Sequence, residues 1–191
     1  IPTRPLLFNV PYLADSHEQP GDSFGYYWAA GASKAGFDYG ILQSRYAGSN
    51  WQVEGNTQLD AIWGYVVGNV APPPAWNIED LTTVITVAQA FDYNDPDVVF
   101  TWESLTDAEW PSENNMIIIG KEIILFKNAE EMPDGTIRLS HLIRGYRGTI
   151  NAAYQHYPGE VFAVVHGESI HLGSEELTYL NQEQAYILNP G

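Results

Sequence analysis

The stretch Met116-Ile117-Ile118-Ile119-Gly120-Lys121-Glu122-Ile123-Ile124-Leu125-Phe126 decides the fold. Two apolar runs flank Gly120-Lys121, and a glycine reaches positive φ at little cost, so the spacing predicts two antiparallel strands joined by a two-residue turn. The runs are apolar almost without interruption. That pattern implies burial on both faces, so further sheet or loop material must cover the hairpin. Each run is far shorter than the ~20 residues that span a bilayer, and no membrane insertion is predicted.

Outward from this hairpin, short segments rich in Val, Ile, Tyr, Trp and Thr recur between clusters of Gly, Asn, Asp and Pro. They fall at residues 24–30, 39–46, 51–54, 64–70, 81–87, 98–102, 115–119, 122–127, 136–139 and 160–165. Such spacing belongs to sandwiches and barrels. The predicted class is all-β, mainly antiparallel, in sandwich or barrel-like lobes with one or two short helical turns. One turn is expected at 105–110, where Thr106 and Glu109 form a capping box, and a second at 140–144, with Ser140 as N-cap and Gly145 as terminator. The proline run 72–74 reads as a stiff spacer between an N-terminal lobe, 1–71, and a C-terminal lobe, 76–191, packed together. No repeat of fixed period is evident.

Composition narrows the function. The chain has 191 residues, 45% of them apolar and 17% charged, enough for a real core. Its 24 acidic residues against 8 basic ones leave a net charge of −16. Phosphate backbones are bound by Lys and Arg that displace counterions, so nucleic acid is excluded as a partner. A basic protein surface or cations suit this charge. There is no cysteine, which removes disulfides, thiolate metal sites and a cysteine nucleophile. The opening Ile1-Pro2-Thr3-Arg4-Pro5 is linker-like, as expected of a piece of a longer chain.

Chemistry is concentrated in Leu139-Ser140-His141-Leu142-Ile143-Arg144-Gly145-Tyr146-Arg147-Gly148-Thr149, followed by His156 and Gly159-Glu160. In an acidic protein Arg144 and Arg147 should seek carboxylates, because a guanidinium forms bidentate pairs that fix geometry as well as charge. The intervening glycines permit tight turns. A loop fastened by Arg–carboxylate pairs is one reading, and an anion-binding loop is the other.

Taken together, Asn115, Gly120, Glu122, Asp134-Gly135, Arg144, Gly145, Arg147, Gly148, Thr149, His156 and Gly159-Glu160 resemble the pattern of a family of phage tail proteins. The family includes the tail-tip or baseplate hub proteins of siphophages and gene transfer agents, with an Arg-Gly-x-Arg-Gly-Thr signature. The resemblance is best over about residues 105–165 and looser around Tyr26-Tyr27-Trp28 and Ser44-Arg45-Tyr46. Tyr146 stands where the family pattern has a basic residue. The resemblance implies a segment of a hub chain in the distal tail of the virion, with no catalytic role or cofactor attached to the motif. It also implies partners among other tail proteins or copies of the same chain.

Other constellations offer rival chemistries. Glycosidases need two carboxylates about 5–10 Å apart, and the densest acidic groups, Asp92 to Asp97 and Glu130-Glu131, read as solvated turns. Asp92, Asn94, Asp95 and Asp97 are also candidate calcium ligands, although Pro96 and Asp97 depart from the helix-loop-helix calcium pattern. His17, His141, His156, His166 and His171 lack metal-ligand spacing, and no Gly-x-Ser-x-Gly elbow is present. The six tryptophans are expected mostly in the core, while Trp51, with Tyr46, is the candidate contact for a host-surface glycan or a partner. Three functions follow: a structural assembly module, a glycan-binding module, and a cell-wall hydrolase. The absence of a paired acid and base ranks the structural module first and the enzyme last.

Overall fold

The computed structural model describes residues 3–8, 10, 13, 27–32, 40–46, 50–57, 61–74, 79–90, 100–166, 170–172 and 182–188. The chain is all-β. It divides into two compact units: one comprises Ile1–Ala61, Tyr93–Val98 and Gly167–Gly191, the other Ile62–Asp92 and Val99–His166.

Among its described residues, the first unit contains two three-stranded antiparallel sheets. In one, β1 (Thr3–Phe8) and a short β11 (His171–Leu172) flank β2 (Tyr27–Ala32). In the other, β12 (Gln182–Leu188) and β4 (Gln52–Thr57) flank β3 (Gly40–Tyr46). Leu6, Phe8, Tyr27, Trp28 and Leu42 are buried here, and the Tyr27 hydroxyl accepts a hydrogen bond from the backbone N–H of Leu13 at 2.9 Å. Burying Tyr27 and Trp28 removes large apolar areas from water, with the phenol's polar end satisfied.

The second unit is a closed six-stranded barrel in the order β10-β5-β6-β9-β8-β7, antiparallel throughout. Its strands are β5 (Trp63–Val67), β6 (Asp80–Gln89), β7 (Met116–Ile119), β8 (Glu122–Glu131), β9 (Ile137–Ile143) and β10 (Val161–Val164). Closure leaves no free sheet edge. The hairpin that decides the fold is β7–β8: Ile119 pairs with Glu122, Gly120 takes φ 60, and residues 116–119 and 122–126 are all buried. Covering material is provided in part by Trp102, whose ring lies 5.8 Å from Phe126 and 6.2 Å from Phe162, while its indole N–H donates to Gln89 at 3.0 Å. At Gly64 the strands approach so closely that a Cβ would lie 2.0 Å from the Ala88 carbonyl oxygen and 2.8 Å from the Phe162 ring.

Several expectations need correction. The helical turn at 140–144 is instead the end of β9 and the residue after it. Ser140 pairs with Val84 on one side and Asn128 on the other, so ladder pairing on both flanks overrides the capping signal. The turn at 105–110 forms one hydrogen-bonded turn with half of its capping box: Glu109 accepts from the Thr106 N–H at 2.8 Å and from its hydroxyl at 2.7 Å, while the Glu109 N–H donates to the Thr106 carbonyl and not to the hydroxyl. The proline run 72–74 does not separate lobes, because it connects β5 to β6 of one barrel, and the residues from 167 onward group with the N-terminal unit. Residues 100–102 are not a strand, and 98–99 lie outside the described residues. Strands β1, β11 and β12 were not foreseen.

Candidate functional site

Four chain segments meet at the start of β8. Glu122 follows the hairpin turn, Arg144 follows β9, and His156 forms an isolated antiparallel bridge with Val70. Glu160 precedes β10. Between Arg144 and His156 the chain winds through a 3-10 segment, Tyr146–Ala152, interrupted by a kink at Arg147 (φ 50), Gly148 (φ 79) and Thr149 (φ −82). Gly145 opens that segment at φ 64, and a Cβ there would lie 2.6 Å from the Ile150 Cα, so both conformation and space require glycine.

Glu122 is wholly buried. Its Oε1 accepts from Arg144 Nε at 2.6 Å and from the Gly145 backbone N–H at 2.9 Å. Its Oε2 accepts from the Arg144 terminal nitrogen at 2.8 Å and from His156 Nε2 at 2.6 Å. Arg144, 4% exposed, also donates to the carbonyls of Ala71 at 3.0 Å and Tyr154 at 3.2 Å. His156 is buried, and its Nδ1 lies 2.9 Å from Glu160 Oε2. Thr149 accepts from the Ile123 N–H at 3.0 Å and donates to the Tyr146 carbonyl at 2.8 Å, tying the kink to β8.

Burial is the largest single influence on His156 and opposes its protonation. The hydrogen bonds and charges of Glu122 and Glu160 together outweigh it and raise the imidazole above its ordinary value. With His156 protonated, two carboxylates face one guanidinium and one imidazolium, so the buried cluster is neutral. A buried pair is costly to desolvate and is sustained only when every lone pair and proton is satisfied. Here each of the three Arg144 guanidinium nitrogens and both Glu122 oxygens has a hydrogen-bond partner.

Arg147 is also paired: its terminal nitrogen lies 2.5 Å from Glu113 Oε1, which accepts from the Tyr146 hydroxyl at 2.8 Å. The guanidinium sits 5.7 Å from the Tyr146 ring centroid. Tyr146 thus serves as a ledge for Arg147 and a second donor to Glu113. Asn115 fastens a neighbouring loop, its side-chain N–H donating to the Glu103 carbonyl at 2.8 Å. Gly120, Glu122, Arg144, Gly145, Thr149 and His156 therefore converge on one place, with Arg147, Gly148 and Asn115 on the elements around it. The arginines hold carboxylates of their own chain, which favours the fastened-loop reading over anion capture.

A second cluster had no motif to announce it. Glu79 accepts from His141 Nε2 and Trp110 Nε1, each at 2.7 Å, and these bonds, the one from His141 first, hold its carboxyl below the usual range. His141 takes φ 56, and its ring lies 5.3 Å from that of Trp110. Beside it, Asp80 is 1% exposed and caps the irregular start of β6, its Oδ1 accepting from the Thr82 N–H and hydroxyl and from the Thr83 N–H. Burial pushes the Asp80 carboxyl up, and those bonds pull it down by more.

The remaining candidates lie elsewhere. Trp51 is half-buried beside β4, and Tyr46 ends β3, whose register places both at one end of that strand pair; the Tyr46 side chain lies outside the described residues. Asp92, Asn94, Asp95 and Asp97 also lie outside them. Among the described residues, no three His, Asp or Glu side chains are grouped to hold a metal ion.

No curated protein matches the chain. The family model described as Rcc01698-like, C-terminal, matches residues 61–163, more than half of the sequence and nearly the whole barrel from β5 into β10. The match contains Glu122, Arg144, Thr149, His156 and Glu160 together. By that match, the chain belongs to the Rcc01698-like, C-terminal family.

Proposed function

We propose that this chain is a structural component of a phage or prophage tail tip or baseplate hub, located in the virion tail, where it mediates protein–protein assembly and performs no catalysis. The observation that carries the reading is the fate of the motif's charged groups. Glu122, Arg144 and His156 are buried and spend their hydrogen-bonding capacity on one another and on nearby backbone. Catalytic carboxylates need access to substrate and a partner of opposite protonation state. This arrangement instead fastens a barrel. The resemblance to tail-tip and baseplate hub proteins supplies the setting.

Assembly requires a surface, and one side of β5 and β6 offers it. On β5, Gly64 and Val66 are buried while Tyr65 and Val67 are exposed; on β6, Leu81 and Val84 are exposed. Tyr and aliphatic side chains exposed on neighbouring strands of a barrel suit the apolar centre of a protein interface. The net charge of −16 favours a partner with a basic rim.

Antibody labelling of purified tailed particles, followed by electron microscopy, tests the setting: label at the distal tail supports it, and particles that lack the chain contradict it. For the surface, Tyr65→Asp with Val67→Asp should leave the barrel folded by circular dichroism and reduce recovery of neighbouring tail proteins in affinity purification at least tenfold, about 1.4 kcal/mol of binding. Unchanged recovery would assign assembly to another face.

A further inference from the structure

His156 is the only titratable side chain in the network that stands between two carboxylates, and the two sides of it are built differently. On one side Glu122 is fixed by Arg144 and the Gly145 N–H and has no exposed area. On the other side Glu160 is 27% exposed and is held by the ring and by the Tyr157 N–H at 2.8 Å. The backbone of His156 is itself fixed, exchanging two hydrogen bonds with Val70 at 2.9 and 3.1 Å. A change in the ring's charge must therefore be relieved through Glu160.

Glu160 belongs to a turn at 157–160 that is sewn to β5. Gly159 N–H donates to the Val66 carbonyl at 2.9 Å, Val66 N–H donates to the Glu160 carbonyl at 2.8 Å, and Glu160 N–H closes the turn on the Tyr157 carbonyl at 3.2 Å. Tyr157 and Tyr154, both exposed, stand on and beside this turn. We propose that His156 is a proton-operated latch, fastening the 157–160 turn and its exposed tyrosine to the barrel through Glu160 and releasing them when the ring loses its proton.

Protonated, the ring donates from both nitrogens, one to each carboxylate. Deprotonated, one nitrogen becomes an acceptor that faces a carboxylate oxygen at 2.6 or 2.9 Å, and the cluster carries an uncompensated negative charge. Glu160 can turn to water and Glu122 cannot. The groups that face the ring are Glu122 from β8, Glu160 from the turn, Arg144 from the end of β9 acting through Glu122, and the Tyr154 ring at a centroid distance of 5.2 Å. Both carboxylates favour the protonated ring. Because the folded-state value is raised above the ordinary 6.5, the fastening is complete below pH 6.5 and is lost as pH rises through the folded value.

The test is an NMR titration that follows the His156 ring together with exchange protection of the Tyr157 and Gly159 amides, corrected for intrinsic exchange at each pH. The ring should titrate above 6.5, and amide protection should fall about tenfold for each pKa unit of coupling as it does so. In Glu160→Gln, which keeps the side chain's size and removes its charge, the ring midpoint should drop and protection should stop following it. His156→Gln should give pH-independent protection, and if that variant does not fold, Glu160→Gln decides alone. A wild-type midpoint at or below 6.5, or protection that stays flat through the ring's titration, would overturn the latch.

Discussion

Thr149 shows what a single side chain in the motif does. It is 5% exposed, it supplies the acceptor for the Ile123 N–H, and it hands its own proton to the Tyr146 carbonyl, so one hydroxyl satisfies two backbone groups of different elements. Thr149→Val keeps the shape and strands both groups. A buried unsatisfied donor costs about 1–3 kcal/mol, and urea denaturation of this variant should show a loss in that range. The need of Arg144 and Arg147 for carboxylates follows from their chemistry and was readable in the sequence. Their partners were less so: Glu122 falls inside the motif, but Glu113 is one of 24 acidic residues and nothing local singles it out. The Glu79–His141–Trp110 cluster left no trace for the same reason, since its members lie 31 and 62 positions apart and only folding unites them.

At the scale of elements, the β7–β8 hairpin was legible because a turn residue and two apolar runs agree over a short span. The end of β9 was not. Ser140 and Gly145 carry local capping signals, yet Leu139 and Ser140 are paired on both flanks by β6 and β8, an arrangement set by residues tens of positions away. Strand β1 was hidden by Pro5, which reads as a linker; the strand lies at a sheet edge, where a missing N–H is tolerated. Close strand approach was equally invisible. The Gly64–Gln89 pairing leaves no room for a methyl group, so Gly64→Ala should destabilise the barrel by about 3 kcal/mol or more, measured by thermal and chemical unfolding. A neutral outcome would mean that β5 and β6 can separate without loss.

Across the whole molecule, the all-β class was readable and the grouping of segments was not. Proline runs suggest spacers, but a spacer and a strand connection have the same local chemistry, and only the pairing of β5 with β6 distinguishes them. The network at Glu122 draws together Ala71, the start of β8, the end of β9, Tyr154, His156 and Glu160, all within the barrel unit. A fastening that reaches so many segments should govern the unit's cooperative unfolding. It should not act only on a local loop. The most direct measurement is native-state hydrogen exchange on the intact chain and on Glu122→Gln, which leaves Arg144 buried without its carboxylate. The expected result is a loss of about 3–5 kcal/mol shared by the slowest amides of β5 to β10 together. A loss confined to the 3-10 segment and the 157–160 turn, with the strands unchanged, would contradict the motif's role as the fastening of the barrel.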